Sequence, residues 1–207
     1  MNGRRHRGAL RGEILDAADR LLFELGDAHE VSIEAVVDAV GCTPPALYYY
    51  FPSKERLLAE VCRRQYRRFA EALELKLPRT GTAVDELIAR GHAYVEWATS
   101  HPEHYRILFM TPLASQAAPD DADPRQAAGL AELIGNLERG IAEGSFEPGD
   151  PLLMALMLWS TVHGMASLAV ANPALPRDLA HAVVELTGRS VIGGFARGLA
   201  PHPEDPP

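Results

Sequence analysis

Cysteine is scarce in this chain of 207 residues: only Cys42 and Cys62 occur, in no Cys-x-x-Cys pair and beside no histidine cluster. That excludes a disulfide framework and a thiolate zinc site, and it fits a reducing cytoplasm. Catalytic signatures are missing as well. There is no nucleophile elbow, phosphate-binding glycine loop or paired-carboxylate motif, and no Glu-x-x-His pattern of the di-iron kind. His101 and His104 stand close in sequence but find no third ligand, so neither an enzyme nor a metal or cofactor site is expected. No segment alternates in the manner of a β-strand, no internal repeat occurs, and the one biased tract is the proline-rich tail, 201–207, expected to fray. The basic N-terminal arm is followed by no apolar run of secretory length.

What is present divides unevenly. Hydrophobic residues make up 47% and charged residues 23% of the chain, an ordinary balance with room for one large domain or two modest ones. The formal net charge is −8, but residues 1–80 hold thirteen Lys/Arg against twelve Asp/Glu, a net +1, whereas 81–207 hold seven against sixteen, a net −9. The cations of the first part gather at Arg4, Arg5, Arg7 and Arg11 and again at Lys54, Arg63, Arg64, Arg67 and Arg68. A local positive face can hold phosphate while the acidic remainder limits non-specific adhesion. Residues 152–171 approach the length and apolarity of a bilayer span, but Ser160, Thr161, His163, Gly164 and Ser167 interrupt the run. A soluble helix buried in a core or a subunit interface, with no membrane, is the expectation.

Apolar periodicity is helical from end to end. Ile14, Leu15, Ala18, Leu21, Leu22 and Leu25 recur at spacings of three and four before Gly26, which predicts a first helix over 11–26. Ser32 caps a short second helix to Val40, closed by Gly41. Thr43 is placed as the cap of a third, with Pro44 and Pro45 in the first turn, where a missing N–H costs nothing. Leu47 and Phe51 lie four apart on its inner face, leaving Ala46, Tyr48, Tyr49 and Tyr50 the rest of the circumference. Pro52 ends it, Ser53 caps the next, and a fourth helix runs to about Leu77. Beyond a linker at Pro78 and Gly81 come helices over about 83–100, 102–110, 124–143, 150–171 and 177–199. Two all-helical domains joined by the fourth helix is the economical account.

Helix, short helix, glycine turn, short helix is the order of a helix-turn-helix, and the residues filling it resemble the TetR family of bacterial repressors. The likeness rests on Ile14, Leu15, Ala17, Ala18, Leu22 and Gly26, then Ile33, Val36, Gly41 and Thr43, and above all on the run from Ala46 through Leu47, Tyr48, Tyr49, Phe51, Ser53, Lys54 and Glu55 to Leu57 and Leu58. It covers nearly all of 11–58. Val37, Pro45 and Tyr50 depart from the family's usual Ala, small residue and His, which reads as tuning of the target sequence. Glu34 stands where some members use a basic donor; it either accepts from a cytosine amine or favours the helix dipole. Further on, the stretch His101-Pro102-Glu103-His104-Tyr105-Arg106 with Phe109, and Trp159 with His163-Gly164, resemble a subgroup named for a Trp-His-Gly signature.

The resemblance implies an all-α protein with an N-terminal three-helix helix-turn-helix DNA-binding domain (1–52), a connecting helix (53–77) and a C-terminal helical ligand-binding and dimerisation bundle (78–200). It implies a ligand-responsive transcriptional regulator, a repressor released from a pseudo-palindromic operator by a small, largely apolar effector. Thr43, Pro44, Pro45, Ala46 and Tyr48 would then face base edges in the major groove, with Tyr49, Tyr50 and Lys54 on phosphates. A helix of seven residues cannot bury three consecutive large rings on one face, so core packing does not account for all three tyrosines. The Arg4, Arg5 and Arg7 arm could enter a minor groove, brush the backbone or make no fixed contact. Arg63, Arg64, Arg67 and Arg68 are either a DNA surface or a solvated helix face.

In the second domain, Tyr94, Trp97, Ala98 and His101 share one helical face and Tyr105, Leu108 and Phe109 another, while Leu152, Leu156, Trp159, His163, Ala166 and Val170 form a third stripe. Trp97, His101, Tyr105, Phe109, Trp159 and His163 are the candidate ligand-binding residues, each with core packing as its alternative. His163 is either a satisfied core histidine or a ligand's one directional hydrogen bond. Small residues at Gly164, Ala166, Gly188, Gly193, Gly194 and Gly198 permit close helix approach, and in the family the helices at 150–171 and 177–199 pair with their copies in a homodimer. The rivals are a helical enzyme or small-molecule carrier, and a module whose aromatic helix contacts protein.

Overall fold

The computed structural model describes residues 7–111 and 129–196. Among these the chain is all-α with no strand: α1 Arg7–Leu25, α2 Ile33–Val40, α3 Pro44–Tyr50, α4 Lys54–Glu74, α5 Ala83–Ser100, α6 Pro102–Phe109, α7 Leu130–Ala142, α8 Pro151–Ala171 and α9 Arg177–Phe195. Arg4, Arg5, the side chain of Arg7, most of the Thr111–Asp123 connection, the expected helix opening at 124–128, Gly198 and the tail 201–207 lie outside the described residues.

Local chemistry sets most of these boundaries. Gly26 stops α1 at φ 74°, and Gly41 stops α2 at φ 67°, where its N–H donates to the Val37 and Asp38 carbonyls; a side chain at either φ would be strained. Ser32 Oγ accepts from the Ala35 N–H at 3.0 Å, and Ser53 Oγ accepts from the Arg56 N–H at 3.3 Å. Thr82 and Asp85 close a reciprocal capping box on α5, and Asp150 caps α8 by accepting from the Leu152 N–H at 2.9 Å. Thr43 differs from expectation. It holds the N-cap position of α3 but its hydroxyl caps nothing: Pro44 and Pro45 have no N–H to offer, and the first N–H of the helix, Ala46, already donates to the Thr43 carbonyl at 3.0 Å.

The chain forms two compact units, one of 7–68 with 102–111 and one of 69–101 with 129–196 among the described residues. The partition departs from boundaries at 52/53 and 77/78. In the first unit, α1, α2 and α3 pack on one another around Ile14, Leu22, Val36 and Leu47, all fully buried. The α4 segment to Arg68 joins them through Asp19 of α1, whose carboxylate accepts from Arg64 at 2.6 Å, Gln65 at 2.6 Å and Arg68 at 3.2 Å. Helix α6 belongs here too: His104 stacks on Phe23 at 3.9 Å, and the Tyr66 hydroxyl donates to the Leu108 carbonyl. Cys62 is buried, and burial pushes its thiol up to about 11, so it stays protonated and inert.

The second unit gathers α5, α7, α8 and α9 with the end of α4. Its core runs through Leu87, Leu133, Leu137, Phe146, Met154, Leu158, Ile192 and Phe195. Helix α8 packs on α5, α7 and α9 through Met154, Ala155, Leu158, Met165, Ala166, Ala169 and Val170. It is not buried all round: only 28% of its most apolar window is covered, although by length and composition it could cross a membrane. The uncovered side carries Leu153, Leu156, Ser160, Gly164 and Leu168, a stripe at steps of three and four.

Candidate nucleic-acid interface and ligand cavity

Helix α3 has one buried side and one open side. Leu47 and Phe51 anchor it, at 0% and 3% exposure, while Tyr48 and Tyr49 stand 46% and 74% exposed and Tyr50 is half-buried. Thr43, Pro44 and Pro45 are exposed and Ala46 half-buried, so the leading end of the helix presents small apolar groups with one uncommitted hydroxyl. The Tyr49 and Tyr50 rings meet edge to face at 5.0 Å, which steers both without burying Tyr49. Lys54, the first residue of α4, donates from Nζ to the His29 carbonyl at 3.2 Å. Glu34 is exposed in the first turn of α2, in place to favour the helix dipole.

The clustered arginines are largely committed within the first unit. Arg11 pairs with Glu60 at 3.3 Å and lies over the Phe51 ring, and Arg63 also pairs with Glu60, at 3.1 Å. Arg64 is held by Asp16 and Asp19, both at 2.6 Å, and by the Leu15 carbonyl; Arg68 joins Asp19. Arg67 is exposed with no ion pair among the described residues.

The second unit holds an apolar cavity of about 50 Å³, partly open to solvent. Its wall is built by Phe69, Leu73, Leu87, Tyr94, Leu133, Leu158, Trp159, Val184 and Ile192, with Arg90 and Thr161 among the few polar residues. Of the six residues expected to bind ligand, Trp159 alone lines it. Trp97 packs on Phe69 at 4.8 Å and His101 stacks on Trp97 at 5.2 Å, outside the cavity wall. His163 stacks on Trp159 at 4.6 Å and shares a hydrogen bond of 3.1 Å with the Tyr94 hydroxyl, one residue removed from the wall. Burial holds its imidazole below the ordinary value of 6.5. Tyr105 and Phe109 belong to the first unit, where Phe109 packs on Tyr66 at 5.5 Å. Their apolar spacing marks a buried face without saying which core receives it.

Two family profiles match this architecture. That of bacterial regulatory proteins of the tetR family covers residues 14–61, and that of the tetracyclin repressor-like C-terminal domain covers 87–191. The chain belongs to the TetR family. An HTH-type transcriptional regulator of Mycobacterium tuberculosis is 26% identical over 140 residues, 67% of this chain and 58% of that protein, so the chain spans less than two thirds of the curated relatives it matches. A protein of unknown function from Rhodococcus sp. RHA1 shares the fold at a TM-score of 0.70 and 25% identity, over 94% of this chain and 100% of that one. FadR of Bacillus subtilis in complex with stearoyl-CoA is similar in fold, at a TM-score of 0.63 and 20% identity, over 91% and 98% of the two chains. The Mycobacterium relative and the family are transcriptional regulators, not enzymes.

Within this TetR-family chain, sequence reasoning passed over Arg90, Leu87 and Phe69. A signal was there. Arg90 falls three residues after Leu87 and four before Tyr94, on the apolar stripe of α5, a place where a charged residue needs a reason. Gly91 adds to the same wall: a Cβ there would come within 3.1 Å of Val184 and 3.4 Å of Val162, so its bare backbone lets α8 and α9 close on α5.

Proposed function

We propose that this chain is a homodimeric, ligand-responsive transcriptional repressor acting in the cytoplasm, its first unit binding operator DNA and its second holding the effector. The observation that carries the reading is the open side of α3. Two tyrosines, two prolines and a threonine face solvent above a buried Leu47 and Phe51. Folding gains nothing from exposing that surface, whereas a major groove would bury it against base edges and phosphates.

Dimerisation is supported by the uncovered faces of α8 and α9. Leu153, Leu156 and Leu168 on one, and Leu179 and Leu186 on the other, are 42–69% exposed, an apolar seam that matches the role inferred for these helices in the family. A Cβ at Gly164 or Gly194 would meet nothing within 4 Å in the single chain, leaving room for a second backbone. Two-fold symmetry would set two copies of α3 in successive major grooves, about 34–36 Å apart, hence a pseudo-palindromic operator. The cavity fits a small, mostly apolar effector. A ligand binding one conformer better than the other by about 1–3 kcal/mol would lower operator affinity several-fold to a hundred-fold. The same fold is found with an amphiphile bound in Bacillus subtilis FadR.

A gel shift with the gene's own upstream DNA, at two salt concentrations and against unrelated competitor, tests the reading. Sequence preference that survives competitor is the expected result; binding that competitor abolishes at both salts refutes it.

A further inference from the structure

We propose that the cavity of the second unit takes a small organic acid, an apolar body bearing one carboxylate, and that Arg90 reads the carboxylate. This rests on the effector reading above and names the effector's class. Arg90 lines a cavity whose walls are mainly aliphatic and aromatic, and its side chain is only 12% exposed. A guanidinium carries five donors in a planar fork. Here one of them, on Nη1, pairs with Glu74 at 2.7 Å, while Nε is buried with no acceptor among the described residues. A buried cation with an unsatisfied donor is costly, and a planar carboxylate is the group that matches a guanidinium fork in two bonds. The Tyr94 hydroxyl already bonds His163 at 3.1 Å, so Arg90 is the cavity's charged anchor.

Size limits the rest of the ligand. About 50 Å³ corresponds to roughly three to five waters, which suits a short alkyl chain or a single ring. Glu74, on Nη1, is the competitor for the same guanidinium, since it blocks a carboxylate that docks end-on across the two Nη groups and offsets the charge. It is 47% exposed, so solvent can take its carboxylate over when a ligand displaces it. Because Glu74 is the last residue of α4, the exchange removes an ion-pair tether between α4 and α5 at the moment of binding.

Calorimetric titration of the full chain with hexanoate and 3-phenylpropanoate, each against its methyl ester, and with hexanoyl-CoA, tests the assignment. The acids are expected to bind at least about tenfold more tightly than the esters. Arg90→Met should bring acid and ester to equal affinity while ester binding persists. Glu74→Gln, by freeing the fork, should tighten the acids several-fold and leave the esters unchanged, a gain that a misfolded variant cannot mimic. Equal binding of acid and ester by the wild type, preference for the thioester, binding of none of them, or acid affinity unmoved by Glu74→Gln would overturn it. Esters that release operator DNA as well as acids do would sink the carboxylate assignment and spare the effector reading. Acids that bind through Arg90 without changing operator affinity would do the reverse.

Discussion

Replacing Lys54 with methionine separates phosphate attraction from everything else at the helix-turn-helix. Methionine keeps the length of the stem and the helix propensity, and the variant loses one exposed hydrogen bond, from Nζ to the His29 carbonyl. That costs about 1 kcal/mol of stability or less. On DNA the loss has another signature. Each neutralised phosphate contributes about 0.9 to the slope of log affinity against log salt, so a dimer with two Lys54 on phosphates should lose about 1.8 from its slope and a lone chain about 0.9. Between 50 and 200 mM salt a change of about 1.8 shrinks the wild-type advantage roughly twelvefold. Fluorescence anisotropy with labelled upstream DNA at four salt concentrations reads this directly. Tyr49→Phe is the control: it removes a hydroxyl without a charge, and should lower affinity at every salt with the slope unchanged. Parallel lines for Lys54→Met and wild type would refute the phosphate contact and leave Lys54 only the role of tying down the loop at His29.

Three further outcomes follow from burial and charge. Leu47→Ala should destabilise the first unit by about 2–5 kcal/mol because the side chain is wholly enclosed, whereas Tyr49→Ala should move stability by about 0.5 kcal/mol or less and still weaken DNA binding; urea melts and anisotropy together decide, and a large stability loss for Tyr49→Ala contradicts the open face of α3. Leu168→Glu, at a residue 64% exposed in the single chain, should leave the melting temperature of the monomer intact and shift sedimentation from dimer to monomer; an unchanged dimer places the seam elsewhere. Burial holds His163 below 6.5, so the unfolded chain binds its proton more readily than the folded one. Its neutral form contributes fully above pH 6.5, and stability is lost as pH falls through 6.5 towards the folded value. His163→Phe should therefore show a smaller drop in melting temperature between pH 7.5 and 5.5 than wild type, and equal drops refute the assignment.

How much of this was legible in the chain depends on whether the deciding chemistry is local. Gly41, Ser32, Ser53 and the Pro44–Pro45 pair act on backbone groups within four residues, so α2, α3 and the start of α4 can be read from the letters alone. Thr43 shows the limit of that logic, since the same prolines that mark the helix start remove the N–H groups a cap would serve. The cavity of the second unit is different in kind. Trp97, Tyr105 and Trp159 look equivalent as aromatics at helical spacing, yet one packs on Phe69, one enters the first unit and one lines the cavity. Which core receives a stripe is set by helices far apart in sequence, and no spacing within one helix encodes it.

Charge shows the same division, and Lys54 stands apart from the arginines. The cluster of Arg63, Arg64, Arg67 and Arg68 reads as a positive face, but Glu60, Asp16 and Asp19, contributed by the same helix and by α1, neutralise three of the four. Those carboxylates were visible in the chain as dispersed acids; only the fold brings them onto the guanidinium groups. An arginine held by a carboxylate adds little net field at the surface and would have to break an ion pair to reach a phosphate. Lys54 is bonded to a carbonyl, which orients the ammonium without cancelling its charge, and two of its three donors remain for an anion. Among the described residues, the electrostatic share of any DNA attraction should therefore rest less on the number of arginines than on cations with neutral partners or none, Lys54 and Arg67 among them. On that account, Arg64→Met should change folding stability far more than it changes the salt slope, the opposite pattern to Lys54→Met, and a steep loss of slope in the Arg64 variant would show that the Asp19 network opens on DNA.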